Sequence, residues 1–302
     1  MAYNTAGLTD YVLQNANELL TNSVLKGVTI DRVTKMVGVK SAQSLNLMDT
    51  DATFQADTSC SFDPDGTTTI SQRVLEVGKM KIEEALCEKD LEQFYTQRAL
   101  IAGGTYDMMA YAKEYTALKV AKIQASLELA IWQSNAFFDG FIDIIDTAGS
   151  AVAGNTGAET SITQANIFDI INAMFAVVPA NVLDKSDLSL YMGWDTFRTA
   201  ISAITTTNFF HYQTDGSMEK GQLKYPGTNL TMVAVHGLTG EDRMFITQDS
   251  NLFWGTDLLH EEEQFIMIAN PFEGNRIQFT ARMKGGTQVA FPANIVEYTN
   301  AI

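Results

Sequence analysis

The chain has 302 residues and is 46% hydrophobic and 10% aromatic, which is enough apolar material to bury a sizeable core and too much for a disordered tail. Its 20 Lys and Arg against 36 Asp and Glu give a net charge of −16, which argues against a surface that grips phosphate by counterion release. The longest apolar runs, at 175–178 and 265–269, fall far short of the roughly 20 residues that cross a bilayer, and residues 1–10 lack the basic start and apolar stretch of a secretory signal. A soluble cytoplasmic product is expected.

The charge is unevenly placed. Residues 138–270 hold 17 Asp or Glu against 5 Lys or Arg, whereas residues 1–45 hold 3 against 4. The middle of the chain therefore reads as solvent-facing, and the N-terminal segment tolerates a nearby polyanion. Cys60 and Cys87 have neither metal-binding spacing nor a disulfide framework, and they read as free thiols packed like small hydrophobes.

In chain order, a first helix is capped at Thr9 or Asp10, carries Val12, Leu13, Ala16, Leu19, Leu20 and Val24 at helical spacing, and stops near Gly27. Ile30, Val33, Met36 and Val37 suggest a second short amphipathic piece ending near Gly38. Two such pieces cannot bury their apolar faces on each other alone, so residues 1–45 read as an arm that docks elsewhere.

Residues 44–86 change to strand signals, with the turn Asp63-Pro64-Asp65-Gly66 between the runs 58–62 and 67–77, which predicts a long hairpin. Its tip, 49–71, is rich in Asp, Thr and Ser, and an isolated two-stranded hairpin is marginal in water. A short helical stretch over 82–99 and a break at Gly103-Gly104 precede the longest helix, 105–133. On it, Met109, Ala112, Thr116, Val120, Ile123, Leu127, Ala130 and Ile131 share an arc of about 100° that no charged residue enters. Tyr111, Tyr115, Leu118 and Leu129 form a narrower apolar strip on the other side, so two partners are expected. Some 29 residues at about 1.5 Å each span about 43 Å, whereas a compact chain of this length has a radius of gyration of about 19 Å. Such a helix is a spine.

Residues 138–263 read as mixed α/β: a polar loop (147–160), a helix (163–178), a strand (188–192), a helix (194–204), and strands at 230–235 and 244–247. Residues 264–302 return to strands at 264–268, 275–283, 287–291 and 295–298, with Gly285-Gly286 as a hairpin turn.

No catalytic constellation survives scrutiny. Asp146-Thr147-Ala148-Gly149-Ser150 has no phosphate-cradling glycine loop and no second aspartic motif to work with, and reads as a solvated loop. His260-Glu261-Glu262-Glu263-Gln264 lacks the second histidine of a zinc helix. Asp63-Pro64-Asp65-Gly66 lacks the remaining ligands of a calcium loop. His211, His236 and His260 are scattered, and no serine sits in a nucleophile elbow. Asn229-Leu230-Thr231 matches a glycosylation acceptor but has no secretory signal to give it meaning. No cofactor or metal is expected. An extended hairpin, an undocked arm and a two-faced spine all require a neighbour, and copies of the same chain are the default neighbour.

In this order the elements resemble the major capsid protein of tailed bacteriophages, the Hong Kong 97-type α+β fold. The ending Arg282-Met283-Lys284-Gly285-Gly286-Thr287-Gln288-Val289-Ala290-Phe291-Pro292 is similar to that family's strand-turn-strand close. The resemblance implies an N-terminal arm (1–45), an extended E-loop (46–80), a P-domain with its spine helix (81–137), a mixed α/β A-domain (138–263) and C-terminal P-domain strands (264–302). It further implies pentamers and hexamers that tile an icosahedral shell round packaged double-stranded DNA, with non-specific DNA contact. Portal, scaffolding and head-completion or decoration proteins follow as partners, with no membrane. The virion capsid, assembled in the host cytoplasm, is the location.

On the same basis, Thr58, Cys60, Phe62, Asp63, Asp65, Thr68, Ile70 and Arg73 are expected on the E-loop, in contact with a neighbouring copy. Phe209, Phe210, His211, Tyr212 and Tyr225 are expected on a loop at the capsomer axis, and Met109, Val120, Ile123, Leu127 and Ile131 in the spine-helix core. No lysine occurs between Ser41 and Gly78, so the lysine-to-asparagine cross-link of some members is not expected. A charged helical scaffolding segment at the N-terminus is also missing, so scaffolding is expected to be a separate protein or already removed, with Met1 favouring a separate protein or none. The competing readings are an encapsulin-like compartment with enzyme cargo and, more remotely, a hydrolase using His211 or His260.

Overall fold

The computed structural model describes residues 28–55, 65–87, 108–154, 161–206, 221–225, 227–257, 265–270 and 276–300. Strand β6 (Leu188–Gly193) is buried at every position, as expected of a strand covered on both faces. It lies inside a six-stranded sheet of order β5-β13-β9-β6-β8-β7. The other members are β5 (Val152–Ala153), β7 (Gln222–Lys224), β8 (Thr231–Val235), β9 (Met244–Gln248) and β13 (Val296–Tyr298).

Alternation along β6 divides the core. Leu188, Leu190 and Met192 pack with Ile170, Ile171, Met174 and Phe197 of two helices, Ile167–Ala176 and Trp194–Thr206. Tyr191 points to the other face, where Trp132 lies 5.2 Å from it between ring centres and also contacts Phe141 and Phe245. Trp132 ends the long helix Met108–Trp132, so the spine terminates in the second core.

A second sheet is built on the 14-residue strand β12 (Arg276–Val289). Strands β10 (Leu252–Thr256) and β11 (Phe265–Asn270) pair antiparallel with β12, β1 (Thr34–Val37) adds parallel to β10, and β4 (Gly78–Cys87) pairs with β12 from Gly285 to Arg276. Two further strands, β2 (Ala42–Thr50) and β3 (Thr68–Glu76), form a separate hairpin from Ala42↔Glu76 out to Thr50↔Thr68.

Several expectations are corrected. Gly285-Gly286 is no hairpin turn, because β12 runs straight through it. A Cβ on Gly285 would come 2.3 Å from the Trp254 ring and one on Gly286 1.9 Å from the Glu76 carbonyl oxygen, so the glycines serve close approach of chains. Residues 82–87 are strand, since their backbone completes the ladder to β12. The piece carrying Met36 and Val37 splits into a short helix (Val28–Arg32) and β1. Asp146 to Ala148 close a helix, Phe141–Ala148, with Gly149 as its left-handed cap at φ 58°. Val296–Tyr298 joins the six-stranded sheet, and Leu252–Thr256 joins the β12 sheet.

Candidate assembly surfaces

The hairpin has two unlike faces. In an antiparallel pair, directly opposed residues share a face. Leu45 and Leu75 point to the body and are buried, with Leu75 packed over Gly255. The opposite face bears the pairs Ser44↔Val74, Asn46↔Gln72, Met48↔Ile70 and Thr50↔Thr68. Val74 is 45% exposed, Met48 66% and Ile70 73%, so a two-stranded ribbon offers solvent an apolar strip. Gln72 donates to Asn46 at 2.8 Å, and the Thr50 and Thr68 hydroxyls pair at 2.9 Å, which sets the register beyond the body. Asp51 N–H to the Thr67 carbonyl, 3.0 Å, is a further rung.

The base of the ribbon is pinned. Arg73 Nη1 donates to the Val289 carbonyl at 3.2 Å and to Gln288 Oε1 at 3.4 Å, while Gln288 Nε2 donates to the Val74 carbonyl at 2.6 Å. Burial lowers the Arg73 guanidinium from its ordinary value. Arg73, expected on a surface between subunits, thus clamps the hairpin to its own chain. Thr68, Ile70 and Asp65 are exposed. Thr58, Cys60, Phe62 and Asp63 lie outside the described residues.

On the long helix, Ile123, Leu127 and Ile131 are buried and Val120 is half-buried; the side chain of Met109 lies outside the described residues. The buried face is wider than the apolar arc and includes a charge, since Glu128 is only 4% exposed. Thr29 satisfies it. The Thr29 backbone N–H reaches both carboxylate oxygens at 3.3 Å, its hydroxyl donates to Oε1 at 2.5 Å, and Trp132 Nε1 donates to the Thr29 hydroxyl at 2.8 Å. Burial pushes the Glu128 carboxyl up, with the Thr29 hydrogen bonds opposing.

A second clip joins the same arm segment to β6. Arg32 contacts Asp249 at 2.9 Å and donates to Ser189 Oγ at 2.8 Å, and the Tyr191 hydroxyl donates to Asp249 at 2.6 Å. Burial raises Asp249, against the pull of Tyr191 and Arg32. Sequence reading missed both clips, because Thr29, Arg32, Glu128 and Asp249 are brought together only by the fold.

Of the residues expected at a capsomer axis, Tyr225 is corrected. It is 8% exposed, and its hydroxyl donates to Asn172 at 2.8 Å, so it belongs to the core beneath Phe168. Phe209, Phe210, His211 and Tyr212 lie outside the described residues, as does His260. His236 stacks on Trp194 at 5.5 Å. Among the described residues no group of three or more His, Cys, Asp and Glu is placed to hold a metal, and no helix is long and apolar enough to cross a membrane.

A long helix ending in the core, a six-stranded mixed sheet, a second sheet on one long strand and a projecting hairpin together make the fold of phage major capsid proteins. No protein-family model and no curated protein matches the chain. Among solved structures, the satellite phage P4 procapsid with its size determination protein aligns at a TM-score of 0.63 and 13% identity, covering 94% of this chain and 90% of that one. The capsid of a native GTA particle aligns at 0.60 and 12%, covering 93% and 91%. Mycobacterium phage Che8 aligns at 0.58 and 11%, covering 91% and 92%. The likeness lies in the fold, and it spans almost the whole of each chain.

Proposed function

We propose that the chain is the non-enzymatic major capsid subunit of a tailed phage, forming pentamers and hexamers that close into an icosahedral shell round packaged double-stranded DNA. In this reading the β2–β3 hairpin is the E-loop, the long helix and β12 sheet form the P-domain, and the six-stranded sheet with its helices forms the A-domain. Portal, scaffolding and head-completion proteins are its partners in the head. The observation that carries the reading is the hairpin itself: clamped at its base, it holds Met48, Ile70 and Val74 in solvent on a fold shared with solved capsid structures. An apolar strip on a lone ribbon calls for a neighbouring chain.

Purified protein, followed by negative-stain microscopy and sedimentation velocity at rising concentration, tests this. Closed shells or capsomers are expected. A chain that remains monomeric at high concentration in native salt, with and without a scaffolding protein, overturns it.

A further inference from the structure

The chain from Thr29 to Val39 crosses the body as a strap whose two ends are held by different chemistry. At the far end β1 lies parallel to β10, and Val39 N–H meets the Thr256 carbonyl at 3.2 Å. Backbone pairing of this kind carries no titratable group. At the near end Ile30 and Val33 enter the second core beside Leu127, Ile131 and Trp132. There Thr29 hydrogen-bonds Glu128 with its backbone N–H and its hydroxyl. Thr29, Ile30 and Glu128 are all buried, so the strap is part of what keeps the carboxyl dry.

Three features of this place disfavour a charge on Glu128. The first is burial. The second is its position one turn before Trp132, at the end of the helix Met108–Trp132 whose carbonyl dipoles repel an anion. The third is Asp31 on the strap, which adds like charge although Lys35 meets it at 3.3 Å. Among the described residues no cation is paired with Glu128; Lys122, the nearest along the helix, is exposed and lies about 120° round the axis. The other titratable groups nearby have partners of their own. Asp249 is answered by Arg32 and by the Tyr191 hydroxyl. His236, on the turn that packs against the helix through Gly237, stacks on Trp194. The Thr29 hydrogen bonds oppose these effects without overcoming them.

We infer that the near end of the strap is a latch worked by one proton: it is closed while Glu128 is a neutral acid under Thr29, and it opens when Glu128 gives its proton to solvent. On opening, Thr29 and Ile30 leave the helix while β1 stays paired with β10. Water that reaches the carboxylate stabilises the anion, and reprotonation lets Ile30 return to the core. Because each opening releases one proton, the opening constant rises by up to tenfold per pH unit. The rise begins in the ordinary carboxyl range, where the open form titrates, and levels off at the higher pH where the closed form does. The strap therefore loosens at Thr29 toward alkaline pH and keeps its register at Thr34–Val37.

Amide exchange followed by mass spectrometry on the full-length protein tests this, in pH steps from about 5 to about 8 and with the intrinsic pH dependence of exchange divided out. In wild type the opening constant over residues 29–33 should grow about tenfold or more across the range, while residues 34–37 and 188–193 hold steady. Glu128→Gln keeps an acceptor for Thr29 and cannot ionise, so its opening constant should be flat. Asp31→Asn, at an exposed position, removes the neighbouring like charge and should shrink the rise. A wild-type opening constant that ignores pH overturns the inference. So does a rise shared equally by residues 34–37 and 188–193, which would be a loosening of the whole chain, and so does a rise that persists in folded Glu128→Gln. If Glu128→Gln does not fold, the other two profiles decide: an Asp31→Asn profile identical to wild type overturns the assignment to Glu128, and a smaller rise supports it.

Discussion

Glu128 sits where burial and hydrogen bonding oppose each other, and the direction of its shift says which dominates. Burial holds its pKa above the unfolded value despite the Thr29 donors. The stability tied to this residue is therefore fully present below the unfolded pKa and is lost as pH rises through the folded pKa. Glu128→Gln keeps an acceptor for Thr29 and has no charge to desolvate. Its melting temperature relative to wild type should rise from about pH 5 to about pH 8; a relative fall would mean that the ionised form is the favoured one. Glu128→Ala leaves the Thr29 N–H and hydroxyl without that acceptor in a dry site and should cost about 1–3 kcal/mol. Gly286 acts by a different force. With the Glu76 carbonyl oxygen 1.9 Å from any Cβ, Gly286→Ala must part the hairpin base from β12, and a loss above about 3 kcal/mol in denaturant unfolding is expected.

At the scale of elements, local pattern was a good guide to existence and a poor guide to partnership. The spine helix was legible because Ile123, Leu127 and Ile131 repeat at helical spacing, and all three are buried. Ile123→Asp puts a charge into a buried apolar position, and soluble folded protein should not be recovered; a folded product would mean that the helix end rearranges. The hairpin was legible from its alternation, but its first strand was not: the strand opposite Thr68–Glu76 is Ala42–Thr50, and Thr67 meets Asp51 rather than a residue of the 58–62 run. Pattern could not show that Arg73 faces inward, because the carbonyl it meets is 216 residues away. Nor could it separate a glycine pair that turns a chain from one that lets Trp254 and Glu76 approach. Strand β13 was misplaced for the same reason, since two-residue periodicity marks a strand whereas pairing across the chain decides its sheet, and β10 was not anticipated as a strand at all. The clamp itself is testable. Gln288→Ala removes the donor to the Val74 carbonyl and an acceptor of Arg73, a loss of about 1 kcal/mol. Amide exchange over residues 73–76 should speed up while the melting temperature scarcely moves. Unchanged exchange would place the restraint in Leu75 and Gly286 alone.

For the whole molecule, folding and assembly draw on different surfaces. The two hydrophobic clusters meet across the six-stranded sheet, at β6 and β9, and their described members include no residue of the hairpin beyond its base. The ribbon past Leu45 therefore contributes little to the stability of its own chain, yet it carries Met48 and Ile70 of the exposed apolar strip. Replacing residues 52–66 with an Asn-Gly turn makes use of this separation, since Asp51 N–H already meets the Thr67 carbonyl at 3.0 Å and a two-residue loop closes such a rung. The shortened protein should melt within about 2 °C of wild type, because the described residues removed, Phe54 and Asp65 among them, are exposed. It should nevertheless sediment as free subunits or capsomers under conditions where wild type closes shells. If its shells were normal, the hairpin would have no part in the contact between subunits. If its melting point collapsed, the ribbon would belong to the core of its own chain.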